Sequence, residues 1–362
     1  MKFREHIISL MFLLFFVFML SYPMSSIDAA MRGIRLFADI IFPSLFPFFV
    51  LTALLPSIPW VNVFATFISP VTRKLFNVSG YGAIVFFSGS VSGFPTGAKM
   101  TADLLEKNKI SIPDANRLIC FTNGASPMFL IGAVAGGLMS QPTLGSTLFL
   151  CHLTGNIIIG IAAGKYIKGP SFHADLTERE PVDYLTLFRE AISSSVRQLL
   201  TVGGLIVFFS VLIESCNQLL EEIYTGAHHA KINLVISGIL ELSNGAESAA
   251  SASSTYIAAI LILSMTSFSG LCIHMQILSF ISHLPISYQS YFYSRLLHAV
   301  ISPLIFVIYT YLFPLKTDSP AVKEVIAPVE YGITSAQVIT LSLIILGILT
   351  FLMTYRIEKS RF

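Results

Sequence analysis

Charge is scarce in this 362-residue chain. Asp, Glu, Lys and Arg together make up 12% of it, against roughly 25% in a soluble domain. With 54% hydrophobic residues and a mean hydropathy of +0.76, that scarcity excludes an ordinary soluble fold, and several apolar runs are long enough to cross a bilayer. Cysteine is scarce too. Cys120, Cys151, Cys216 and Cys272 sit singly inside apolar segments; none has the close spacing of a metal or redox pair, so they read as small buried hydrophobes. Catalytic signatures are missing, with no phosphate-binding Gly-Lys-Ser/Thr loop, no His-Glu-x-x-His and no Gly-x-Ser-x-Gly turn. The expectation is an all-α polytopic membrane protein that is not an enzyme and binds no nucleic acid, metal or resident cofactor. An intramembrane enzyme using Glu241, Glu247 or His274 as acid or base is the weaker alternative.

What is present is a succession of apolar segments. Residues 1–30 form an N-terminal transmembrane anchor or a signal-like segment, in which Lys2 and Arg4 precede the apolar run 7–20 and then SSIDAA (25–30). A cleaved signal peptide fits the short run and the small residues; a retained span is preferred, because another apolar segment follows directly. The next span is expected over 36–55, kinked at Pro43 and Pro47. Residues 60–76 are amphipathic, end on Arg73 and Lys74, and suit the inner interface. Further spans are expected over 118–139 and 143–165. The polar connection 168–185 divides a first half, 31–167, from a second, 186–313, and 314–362 add an outer loop and a C-terminal transmembrane helix. The total is about eight transmembrane helices.

The stretch 80–140 stands apart. It should lie in the membrane, yet SGSVSGFPTGAK (88–99) and FTNGASPMF (121–129) are rich in residues that interrupt a helix. Unpaired backbone groups cost several kcal/mol in lipid, so broken backbone survives only where protein or water covers it. Successive apolar segments broken in this way are the usual look of a transporter binding site; close helix packing through small residues is the blander explanation. The second half has counterparts about 150 residues on: SGILELSNGAESAASASS (237–254), MTSFSGLCIHM (265–275), LFREAI (187–192) beside LFADII (36–41), and His298 beside His152. Four matches in the same order indicate an internal duplication.

Charge then orients the halves. With the N-terminus inside, and with 83–98 and 232–254 each entering and leaving on one side, 17 of the 22 basic residues fall inside and 5 outside, in the sense of the positive-inside rule. Each half holds three full spans plus a re-entrant helical hairpin, an inverted repeat (3+3 spans) whose broken segments meet near the midplane. Half-helix ends supply N–H groups and carbonyls there. The candidate substrate-binding residues from the first half are Ser88, Ser92, Thr96, Thr122, Asn123 and Ser126, with Ser90 beside them. From the second come Glu241, Ser243, Asn244, Glu247, Ser269, His274 and Gln276, with Ser267. Glu241 and Glu247 weigh most, because carboxylates at membrane depth are expensive. A coupling ion, H+ or Na+, would neutralise them, and a turn through Ser243-Asn244-Gly245 would let both face one cavity; a shallow, wetted hairpin is the alternative. His274 reads first as an interhelical hydrogen-bonding residue, as do His152 and Asn156, and Lys99 as a snorkelling group at the inner interface.

SGSVSGFPTGAK, RLICFTNGASPMFLIGAVAGG (117–137) and HLTGN (152–156), in that order and spacing, resemble the YlbJ family of sporulation integral membrane proteins. That family lies within the wider group sharing the nucleoside-recognition, or Gate, domain. The likeness covers 31–313. Phe94 stands where a tyrosine is usual, Ser269 where a glycine is usual, and Leu153-Thr154 replaces a more aromatic pair. The resemblance implies a cell-membrane protein of the mother cell or of the membrane around the forespore, needed for the spore cortex. It also implies a fold similar to the concentrative nucleoside transporters, though not nucleosides as substrate, since their contacting residues do not map cleanly here. Two functions follow from different classes: a secondary transporter or channel for a small polar solute or ion, or a non-transporting membrane scaffold that recruits cortex-synthesis proteins. Expected partners are the lipid membrane, the unidentified solute, and either further copies of the chain or other sporulation membrane proteins.

Overall fold

A chain in lipid must pair its backbone groups internally. The computed structural model describes residues 2–54, 59–171, 183–223, 229–252 and 254–313, and it contains helices and connections but no strand among them. In order these are α1 (Lys2–Ser21), α2 (Pro23–Arg35), a wide-turn π-helical segment π1 (Leu36–Ile41), α3 (Phe42–Leu54), α4 (Pro59–Phe76), α5 (Gly80–Ser92), α6 (Thr96–Glu106) and α7 (Ile112–Phe121). There follow a second wide-turn segment π2 (Met128–Leu138), α8 (Pro142–Tyr166), α9 (Tyr184–Ile223), α10 (His229–Leu240), α11 (Leu242–Ala250), α12 (Thr255–Phe268), α13 (Gly270–Ile281) and α14 (Tyr288–Leu312). Among the described residues 4 helices are long and apolar enough to cross a membrane, or up to 6 if each of two bent pairs counts as one span. The protein is therefore a multi-pass membrane protein. The C-terminal helix and outer loop expected over 314–362, most of the 168–185 connection, and 224–228 of the loop before α10 lie outside the described residues.

The amino-terminal region departs from expectation. SSIDAA lies within α2, after a bend of 105° between residues 12–21 and 23–41. Pro23 sits in the first turn of α2, where its missing N–H leaves no intrahelical bond unmade. Ser26, Ala29 and Gly33 are buried on one face, and a Cβ on Gly33 would press on Ser210 of α9. The small residues thus let α2 and α9 approach closely. The helix continues through π1 into α3, so the segment expected over 36–55 starts at Pro23. Pro43 withdraws the N–H that the Asp39 carbonyl would otherwise take, and the helix widens just before it.

Between residues 66–76 of α4 and α5 the chain turns by 94°, which suits an amphipathic α4 lying along an interface. Arg73 and Lys74 occupy its last turn, where they complement the helix dipole. Before α9, the Thr186 hydroxyl and then the Leu185 N–H hydrogen-bond Asp183 and hold its carboxyl below the usual carboxylate range.

The interior has two principal apolar clusters. One joins Leu45, Leu130, Leu148, Leu199, Ala246 and Ile262; the other is built on Phe76, Phe121, Ile159, Ile277 and Tyr291. Phe67, Leu185, Leu200 and Leu304 are exposed, as a surface solvated by lipid permits.

Two of the basic residues counted as inside-loop charges prove to be fully buried within helices: Arg117 in α7 and Arg295 in α14. Arg117 donates to the carbonyls of Asn77, Ile167 and Gly169, with Asp114 at 3.5 Å. It thereby gathers the carboxyl-terminal ends of α4 and α8, where unpaired carbonyls and the negative end of the dipole favour a cation.

Candidate functional site

Each hairpin breaks where the sequence cannot continue a helix. In the first, α5 stops at Gly93, whose φ of 78° lies in the left-handed region that glycine adopts at little cost. A Cβ there would lie 2.7 Å from the Ser126 nitrogen. Gly89 and Gly97, one on each arm, lie so close to the Thr122 carbonyl that neither has room for a side chain. The tip is hydrogen-bonded to the break between α7 and π2: Phe94 N–H donates to Gly124 O at 2.8 Å, and Ala98 N–H to Asn123 Oδ1 at 2.6 Å. Asn123 thus caps α6 from another segment, while the Ser126 hydroxyl takes the Phe129 N–H at the start of π2. The Ser92 and Thr96 hydroxyls pair across the tip at 2.9 Å, and Thr122 returns its hydroxyl to Leu118 O. Ser88 is fully buried with its hydroxyl unpartnered, Ser90 is half-buried, and Lys99 is exposed.

In the second hairpin α10 ends at Glu241, a single residue in extended conformation (φ −143°, ψ 127°). Its carboxylate caps α11, accepting from Asn244 N–H at 2.7 Å and from Asn244 Nδ2 at 2.9 Å. The break between α12 and α13 lies at Ser269 and Gly270, both at positive φ. A Cβ on Gly270 would come within 3.2 Å of the Leu242 nitrogen. Both hairpin tips therefore rest on the break of the interrupted helix that follows them.

Ser243, Asn244 and Gly245 do not form a turn; they lie inside α11, because one extended residue and its own side-chain cap suffice to restart the helix. Consequently the two carboxylates diverge. Glu241 is 3% exposed, whereas Glu247 lies on the exposed face of α11 within electrostatic reach of Arg32, which pairs with Glu214 of α9 at 2.6 Å. Ser243 is buried beside the Glu241 carboxylate.

The remaining candidates bind protein groups. His274 has both ring nitrogens engaged, Nε2 donating to Phe268 O at 3.0 Å and Nδ1 bonded to the Tyr288 hydroxyl at 2.9 Å. Gln276 is buried against Cys272, and the Ser269 hydroxyl turns back to Thr266 O.

Between the halves lies a polar centre that sequence reasoning saw only in part. His152 of α8 accepts the Ala125 N–H at Nε2 (2.8 Å) and bonds the Ser267 hydroxyl through Nδ1 (3.1 Å). Since a backbone N–H only donates, the proton of His152 resides on Nδ1. His298 of α14 receives Arg295 Nη1 at Nδ1 (3.1 Å) and donates Nε2–H to His152 O (2.9 Å). The two ring centroids lie 4.5 Å apart, the rings tilted by 53° to each other. Arg295 also donates to Asn123 O, Cys120 O and Asn156 Oδ1. Among the described residues no carboxylate lies within ion-pair distance of it; the carbonyls ending α7 take that place. Neither histidine can gain a second ring proton while these bonds hold, which leaves them structural. The available signal for Arg295 was a cation flanked on both sides by apolar helix, three residues before a histidine.

Gly93→Leu should keep the protein inserted but prevent the tip from closing on Ser126, abolishing function. Membrane fractionation together with a sporulation assay checks this; normal sporulation would remove the first hairpin from the mechanism.

No family model matches the chain, and no solved structure matches it. A curated relative does: the sporulation integral membrane protein YlbJ of Bacillus subtilis (strain 168) is 30% identical over 332 residues, covering 83% of this chain and 81% of the relative. At that identity and coverage the chain belongs to the family of the sporulation integral membrane protein YlbJ.

Proposed function

We propose that the protein serves sporulation as a secondary transporter or channel for a small polar solute or ion, and not as an enzyme. The observation that carries this reading is the pairing of each hairpin tip with a broken helix around buried polar groups, Asn123 in the first half and Glu241 in the second. A scaffold has no use for such groups at depth, where each must be matched by a partner. The order α5, α6, α7, π2, α8 parallels α10, α11, α12, α13, α14, and α8 and α14 have 25 residues each. The adjacent His152 and His298 lie at matching places in those two helices. These features support a duplicated fold of the Gate type, its halves inverted, with access alternating as one half rocks against the other.

The role in sporulation follows from the name of the relative; the spore cortex, and a membrane of the mother cell or around the forespore, follow from the family resemblance. Glu241 is the residue through which H+ or Na+ coupling would act. Reconstituted protein, offered a panel of small polar solutes under pH and sodium gradients, should move at least one of them, and Glu241→Gln should not. Absence of flux for every solute, with normal sporulation by Glu241→Gln, would favour a scaffold that recruits cortex-synthesis proteins.

A further inference from the structure

The two tip-to-break contacts are built differently. In the first half, two hydrogen bonds join tip to break, from Phe94 N–H to Gly124 O and from Ala98 N–H to Asn123 Oδ1. The break is also held from behind by His152 on Ala125 N–H and by Arg295 on the carbonyls of Cys120 and Asn123. Both arms press glycines onto a rigid backbone carbonyl, that of Thr122.

In the second half, among the described residues, no hydrogen bond joins 237–246 to 265–272; Gly270 merely touches the backbone of Glu241 and Leu242. The arms cross at Gly238 and Gly245, and Gly238 faces the thioether of Met265, 2.6 Å from where its Cβ would be. Methionine is unbranched and adapts its shape, so it makes a contact that can slide. Beyond the hairpin, the Ser210 hydroxyl of α9 donates to Asn244 Oδ1 at 3.0 Å.

The geometry points to the second hairpin, α10 with α11, as the element that opens the site, with the first hairpin as its fixed wall. Each hydrogen bond broken without replacement lowers the open population by roughly fivefold or more. The first hairpin must break two to lift, whereas the second breaks none to part from α12 and α13 and gives up one, to Ser210 of α9; both breaks are themselves pinned, the second by His152 on Ser267 and His274 on Phe268 O. This deepens the transport reading, which supplies the reason to open, but the mobility can be measured without any solute.

Two buried positions report the two openings. Cys272, 1% exposed and within electrostatic reach of Glu241, lies under the second tip. Ser88, 0% exposed with an unpartnered hydroxyl, lies beside Gly89 of the first hairpin, so Ser88→Cys removes no hydrogen bond. Each cysteine is placed alone in the full chain, the other native cysteines replaced, and labelled in native membranes with N-ethylmaleimide. Rates are normalised to those of the same variant unfolded in detergent. The cysteine at 272 should react about fivefold faster or more than the one at 88, the margin of two bonds broken against one.

Met265→Ile, which stiffens the sliding contact, should slow labelling at 272 and leave 88 unchanged. Gly245→Ala, which drives a methyl into the Gly238 backbone, should speed labelling at 272. Equal rates at the two positions, or faster labelling at 88, would overturn the assignment even if solute flux were found. Failure to find flux would leave the labelling contrast intact and count only against transport.

Discussion

Arg295→Met is expected to loosen the centre of the bundle and lower its melting temperature in detergent by on the order of 10 °C. The guanidinium serves Cys120 O, Asn123 O, Asn156 Oδ1 and His298 Nδ1. Buried acceptors left unpaired cost about 1–3 kcal/mol each, so losing their common donor costs several kcal/mol in total. Replacing a buried ion pair by apolar residues is often neutral, because two charges are relieved of desolvation together. That compensation is absent here: the partners are backbone carbonyls and side chains that remain in place when the arginine is gone. Arg295→Lys keeps the charge but lacks the planar fork and should fall between methionine and wild type. A melting temperature for Arg295→Met equal to that of wild type would mean that the α7 carbonyls have other donors.

Glu241→Gln should instead leave the fold almost untouched and remove the function. The amide keeps an oxygen for the Asn244 N–H, so the cap of α11 weakens by about 1 kcal/mol. What disappears is the group at the second break that can take up H+ or hold Na+. In a sporulating strain carrying this chain as its sole copy of the family, heat-resistant spores should fall sharply at matched protein level. Glu247→Gln should act more weakly, since Glu247 lies on the exposed face of α11 near Arg32. A scaffold requires neither carboxylate, and normal heat resistance in both variants would leave transport with little support.

The helical membrane class was legible because it depends on composition, which no tertiary contact alters. The breaks at 93–95 and 122–127 were legible because Gly93, Pro95, Asn123, Gly124 and Pro127 cannot continue a helix. Ser243-Asn244-Gly245 carried the same signal and misled: Glu241 caps that segment from just outside, and a capped helix tolerates Ser, Asn and Gly in its first turn. SSIDAA, whose small residues fit a signal-peptide cleavage site, lies inside α2. Its small residues serve packing on α9, and that partner is nearly 180 residues away in sequence. Arg117 and Arg295 were the least legible. A cation beside an apolar run looks like the end of a span, and only the folded chain brings it carbonyls from distant helices.

The alternating access proposed here requires the two halves to be inverted, and labelling from outside intact cells tests that requirement most directly. On a background without native cysteines, Asn108→Cys, in the connection between α6 and α7, and Gly226→Cys, before α10, are exposed separately to a membrane-impermeant maleimide. The account predicts modification at 226 and protection at 108 until the cells are permeabilised. Modification at 108 in intact cells, or protection at 226, would contradict it.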